Sequence, residues 1–187
     1  MSITHEDFSR IAKLADTVKQ REALAELLRP EHTLEAYVAL LLAMISNITL
    51  PRWSCMRKEI KVQLLEESRV NYELWKQYEL AEVKFRLKIT RAAPESPEVI
   101  KEIENELASK TQLLTLSHYA ASLQMRFNNQ PVKPWLSYKY FECIAIEDKV
   151  KQFFRDWQKE EVETGVEREM IEVDALKHTI FYNELKQ

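Results

Sequence analysis

Residues 52–92 read RWSCMRKEIKVQLLEESRVNYELWKQYELAEVKFRLKITRA, a run without proline or glycine. Along it Trp53, Met56, Ile60, Leu64, Tyr72, Trp75, Tyr78, Phe85 and Ile89 recur at helical spacing. A strand would alternate every second residue, so this periodicity predicts one long helix, about 60 Å at about 1.5 Å per residue. The residues beyond it, Ala92-Ala93-Pro94-Glu95, form a turn. Ser96-Pro97-Glu98 then supplies a cap, a first-turn proline and an acid suited to the helix dipole.

A second long helix is expected from Pro97 to about Asn128. Its first half is amphipathic through Val99, Ile103 and Leu107, whereas Leu113, Leu114, Leu116, Tyr119, Ala120, Leu123, Met125 and Phe127 make the second half apolar on more than one side. Two long helices with a short connection pack as an antiparallel hairpin, and the apolar half is expected beside the start of the first helix. The predicted fold class is therefore all-α: a helical bundle built around a long antiparallel hairpin, about 52–92 and 97–128, with further helices at both ends.

Toward the N-terminus, Thr4 and Asp7 resemble a capping pair, and Phe8, Ile11, Leu14 and Val18 follow at helical spacing. A helix is expected from His5 to about Leu28, stopped by Arg29-Pro30. Thr33 caps the next one, which carries the apolar run 37–50, YVALLLAMISNITL. That run falls short of the roughly 20 residues a spanning helix needs and is read as a buried core helix. Toward the C-terminus, 128–134 (NNQPVKP) is a linker and a candidate subdomain boundary within an otherwise single domain, 1–187. Ile146, Val150, Phe153 and Trp157 mark a helix expected to end before Gly165, with glycine in its C-terminal cap. A terminal helix through Met170, Val173, Leu176 and Ile180 follows. No internal repeat is read, and no strict heptad is sustained, which argues against an extended two-stranded coiled coil.

Gly165 is the only glycine in 187 residues. Phosphate-cradling loops and the serine nucleophile elbow both require several, so nucleotide hydrolysis or acyl transfer by those routes is excluded. The four histidines, His5, His32, His118 and His178, stand apart, and none lies in a Glu-x-x-His pair, so no metal or cofactor is expected. His118 lies in the apolar half of the second long helix and is the residue around which an unfamiliar helical active site would form. Cys55 and Cys143 fit neither a disulfide framework nor a zinc site. Net charge −3 disfavours a general nucleic-acid or membrane coat. No secretory signal is read at the N-terminus, so a cytoplasmic location is expected, with leaderless export left open.

Two features point to partners. Aromatic residues crowd into 135–157, and acids dominate the C-terminal third; Trp135, Tyr138, Phe141, Phe153, Phe154 and Trp157 with Glu160 and Glu161 are the candidate protein-binding surface. The expected function is that of a non-enzymatic subunit, adaptor or regulator binding a protein partner, basic in character or part of a larger assembly. The alternative is a nucleic-acid-associated protein using the basic segment Arg52, Arg57, Lys58 and Lys61 with Trp53 as a stacking residue.

Overall fold

The computed structural model describes residues 3–93 and 96–184, and side chains as far as residue 178. Met1, Ser2, the turn residues Pro94 and Glu95, Leu185 and the Ile180 side chain lie outside this description. Among the described residues the elements are helical: α1 (His5–Ala12), α2 (Thr17–Leu28), α3 (Leu34–Ile45), α4 (Lys58–Ala92), α5 (Pro97–Gln112), α6 (Leu116–Phe127) and α7 (Tyr140–Glu184), with single 3-10 turns at Arg29–Glu31, Trp53–Cys55 and Trp135–Ser137.

The all-α bundle and its long hairpin are as expected, but four boundaries differ. The first expected helix is two. Asp16 caps α2 by accepting the Val18 N–H at 2.8 Å, and Gln20 donates to the Leu14 carbonyl at 2.6 Å, which ends the turn between them. The 52–92 helix starts only at Lys58, after the 3-10 turn. The 97–128 helix breaks at 113–115, where the Thr115 hydroxyl accepts the His118 N–H and starts α6. Neither new break contains glycine or proline; each is set by a side-chain cap. Finally, Gly165 ends nothing, because α7 runs through it.

By its contacts the chain divides into two compact units, and the linker 128–134 lies inside the second of them. The first comprises 1–33, 51–57 and 155–187. Its core sets Ile11, Leu24 and Leu28 of α1 and α2 against Val166 of α7, with Phe8, Val162 and Met170 at the margin. The Gly165 Cα lies so close to its neighbours that a Cβ would meet Leu28 Cδ1 at 3.0 Å and Ser54 Cβ at 3.4 Å. The glycine is therefore a packing notch. The turning role expected of glycine falls to Asn47 and Asn129, both at φ 56°. Each closes its helix with the same pair of bonds, Asn47 N–H to Met44 O with Ile48 N–H to Ala43 O, and Asn129 N–H to Arg126 O with Gln130 N–H to Met125 O.

The second unit comprises 34–50 and 58–154. In it α3 packs on α6 and α4, and α4 packs on α5. Val83 and Leu87 of α4 meet Ile103 of α5. Arg86–Glu106 and Arg91–Glu104, at 3.1 and 2.6 Å, form an antiparallel ladder along the same seam. The apolar end of the expected second helix leaves this seam as α6 and packs chiefly on α3.

The two asparagine caps expose an internal repeat that the sequence reading missed. From α3 to the start of α4 the elements recur 82 residues later: α3 as α6, the turn Trp53–Cys55 as Trp135–Ser137, and the α4 start at Lys58 as the α7 start at Tyr140. The four tryptophans form two pairs, Trp53/Trp135 and Trp75/Trp157, and Thr33/Thr115, Asn47/Asn129 and Glu79/Glu161 coincide likewise. Backbone angles repeat as well, with Met56 at φ −80°, ψ 145° and Tyr138 at φ −79°, ψ 142°.

Candidate functional site: the bare face of α4

The repeat sorts fold residues from surface residues. Trp53 is buried; its indole N–H donates to the Glu31 carbonyl at 3.2 Å, and the Trp53 and Ser54 backbone N–H groups donate to the Glu161 carboxylate at 3.3 and 2.8 Å. At the equivalent place Trp135 is buried and the Leu136 N–H donates to Glu79 at 3.3 Å. The clamps are reciprocal: the long helix of each repeat supplies the carboxylate for the other repeat's turn, the pairing seen when identical elements are exchanged. Ring contacts follow the same rule, Tyr37 on Phe154 and Tyr119 on Tyr72, each at 5.5 Å.

These contacts redistribute the expected partner surface. Trp135 and Glu161 are buried in turn-clamping roles, and Tyr138 packs on the Trp135 ring. Phe154 packs on Tyr37, and Trp157 meets His32 edge-on. Glu160 is exposed and paired with Arg52 at 2.6 Å. Only Phe141 and Phe153 of the aromatic set stay exposed, and on α7 they stand about 18 Å and about 120° of arc apart, so they form no single patch. In the basic segment Arg57 and Lys58 are exposed, Lys61 is half-buried, and Trp53 has no free face for a base to stack on.

His118 is buried, with Nδ1 3.0 Å from the Thr115 hydroxyl, Nε2 3.1 Å from Glu147, and its ring 4.9 Å from that of Trp135. Nδ1 is engaged within the α6 cap and Nε2 joins α6 to α7, so both nitrogens are occupied. Cys143 is buried, and burial with the nearby Glu142 charge pushes its thiol up; Cys55 is exposed. No cluster of three metal-ligating side chains occurs among the described residues. The strongest acid perturbation is Glu169, pushed up to about 7 by burial first and then by its hydrogen bond to Glu172.

What the sequence reading treated as one apolar face of α4 is two. Leu64, Leu80, Val83 and Leu87 are buried in the second unit. Val70, Leu74, Tyr78, Phe85 and Ile89 are 52–70% exposed, and Ala81 is exposed among them. The spacing 70, 74, 78 and then 81, 85, 89 is an 11-residue period, so at 100° per residue all six lie within about 100° of arc along about 28 Å of helix. A cleft of about 330 Å³ between Tyr78, Ala81 and Glu82 on one side and Lys110, Pro134 and Leu136 on the other opens beside the middle of this face.

The equivalent positions of α7 are Gln152, Asp156, Glu160, Glu163, Glu167 and Ile171, all exposed. The helical scaffold therefore accepts acids where α4 carries large apolar side chains. Surface singles of this kind are ordinary, whereas a continuous exposed apolar stripe is unusual on a protein surface.

No helix among the described residues is long and apolar enough to cross a membrane. Comparison with known proteins adds no functional information: no protein-family profile, no curated protein and no solved structure matches the chain.

Proposed function

We propose that the protein is a non-catalytic helical binding module that engages another polypeptide through the Val70–Ile89 face of α4. One observation carries the proposal: an exposed apolar stripe stands on α4 where its repeat equivalent on α7 is acidic. Folding does not demand apolar residues there, and a face of this length and straightness fits a helix laid along it. Aromatic and large aliphatic anchors, Tyr78 and Phe85 foremost, would form the desolvated centre, and the surrounding Glu and Lys residues would set orientation.

The test is a photoreactive benzophenone side chain placed at Tyr78 and, in a matched protein, at the equivalent Glu160. Irradiation in cells is expected to give protein adducts from position 78 and none from 160, and Leu74→Asp with Phe85→Glu should abolish them. Adducts from Phe141 in place of Tyr78 would move the binding surface to the start of α7.

A further inference from the structure

One cavity of the first unit is set apart by its charge. About 330 Å³ in volume, it is walled by Arg29 and His32, at the two ends of the turn that follows α2, and by Lys159, Val162 and Glu163 of α7. The wall is fixed in place: Gln158 Nε2 donates to the His32 carbonyl at 2.9 Å, and the buried His32 ring meets Trp157 edge-on with centroids 6.0 Å apart. Among the described residues neither Arg29 nor Lys159 forms an ion pair, so two cations line the cavity against the single acid Glu163. The repeat supplies a control. At the equivalent positions Arg29 is Thr111, His32 is Leu114 and Lys159 is Gln77, all of them neutral. Leu114 is 4% exposed and His32 2%, so in the other repeat a leucine fills the same buried place without the cost of burying an imidazole. Folding therefore does not ask for the three basic side chains that converge on this cavity.

We infer that the cavity binds a small phosphate monoester, with the phosphate between Arg29 and Lys159 and the organic body against Val162 and the His32 ring. A phosphate monoester carries close to two negative charges at neutral pH and presents three acceptor oxygens, which suits a guanidinium fork and an ammonium group arriving from two different elements; a carboxylate is satisfied by the guanidinium alone. The volume stands at the small end for ligand sites, enough for the phosphate and one ring-sized body, and the alkyl stems of Arg29 and Lys159 extend the apolar lining. Glu163 opposes the anion, so the binding is weaker than the two cations alone would give. This site belongs to the first unit and is independent of the role proposed for α4.

Isothermal titration calorimetry of the full chain with phenyl phosphate tests this. One-to-one binding is expected, tighter than that of inorganic phosphate, which lacks the body, and of benzoate, which lacks the second charge. Arg29→Gln and Lys159→Gln should each weaken it about tenfold, and Glu163→Gln should tighten it. His32→Leu, which copies Leu114, should weaken binding while the thermal midpoint stays at or above that of wild type, separating a lost ligand contact from a lost fold. No binding at concentrations up to about 10 mM, or binding indifferent to both Arg29→Gln and Lys159→Gln, would overturn the inference. Benzoate bound as tightly as phenyl phosphate would overturn the assignment to phosphate.

Discussion

Helices α4 and α7 occupy equivalent places in the two repeats and present different surfaces. Both begin after a buried tryptophan turn, both carry a buried glutamate that clamps the other repeat's turn, and both hold an aromatic residue, Tyr72 or Phe154, against the tyrosine of α6 or α3. On the opposite side they part: α4 shows Leu74, Tyr78 and Phe85 to solvent, and α7 shows Asp156, Glu160 and Glu167. Shared residues mark what the fold requires, and divergent residues mark what it leaves open. An internal repeat thus supplies a control that a single helix lacks.

If the shared residues carry the fold, breaking them should be costly in both repeats. Trp53→Ala and Trp135→Ala are each expected to lower stability by about 3–5 kcal/mol in denaturant unfolding, since each leaves a large void beneath its turn. A large loss from one and a negligible loss from the other would break the equivalence.

The place where the repeats differ inside the core gives a smaller effect. Val83 fills its site on α4, whereas Gly165 admits Leu28 and Ser54 at the same position on α7. Gly165→Val, which copies the other repeat, should therefore destabilise by about 1–3 kcal/mol through overpacking, despite the better helix propensity of valine. An unchanged denaturation midpoint would mean that the notch is slack.

The smallest effect depends on pH. Leu87 is the equivalent of Glu169, whose carboxyl is raised from 4.5 to about 7 by burial and by Glu172. The native state holds this proton more tightly than the unfolded chain does, so stability falls as pH rises from 4.5 to 7 and stays lower above that. Glu169→Leu, measured by thermal unfolding, should stabilise at pH 8 by about 1 kcal/mol after allowance for solvent screening, and by less at pH 5. An equal gain at both pH values would assign it to packing alone.

Much of the fold is legible in the residues themselves. Near-absence of glycine, long proline-free periodic runs and the Ser96-Pro97-Glu98 start are local signals, and local signals specify helices. The breaks at 13–16 and 113–115 escape notice because Asp16 and Thr115 cap helices without any glycine or proline to mark them. Gly165 misleads because a packing notch and a helix cap use the same residue. The repeat is hidden because few positions coincide, chiefly caps, tryptophans, clamping glutamates and scattered residues such as Tyr37/Tyr119 and Leu41/Leu123, with much of the intervening surface exchanged between apolar and acidic. The exposed face of α4 is invisible to periodicity: Leu87 and Phe85 both fit helical spacing, and only the packing of α5 tells which of them is covered.

The most direct test of the account is the thermal unfolding of a chain in which the α4 face is given the residues of α7: Val70→Gln, Leu74→Asp, Tyr78→Glu and Phe85→Glu, compared with wild type at low micromolar concentration by circular dichroism. With those side chains serving docking and not folding, the helical signal is retained and the midpoint stays within about 5 °C of wild type. Loss of helicity, or a midpoint lower by more than about 10 °C, would return the stripe to the core of the molecule and contradict the assignment of α4 as a binding face.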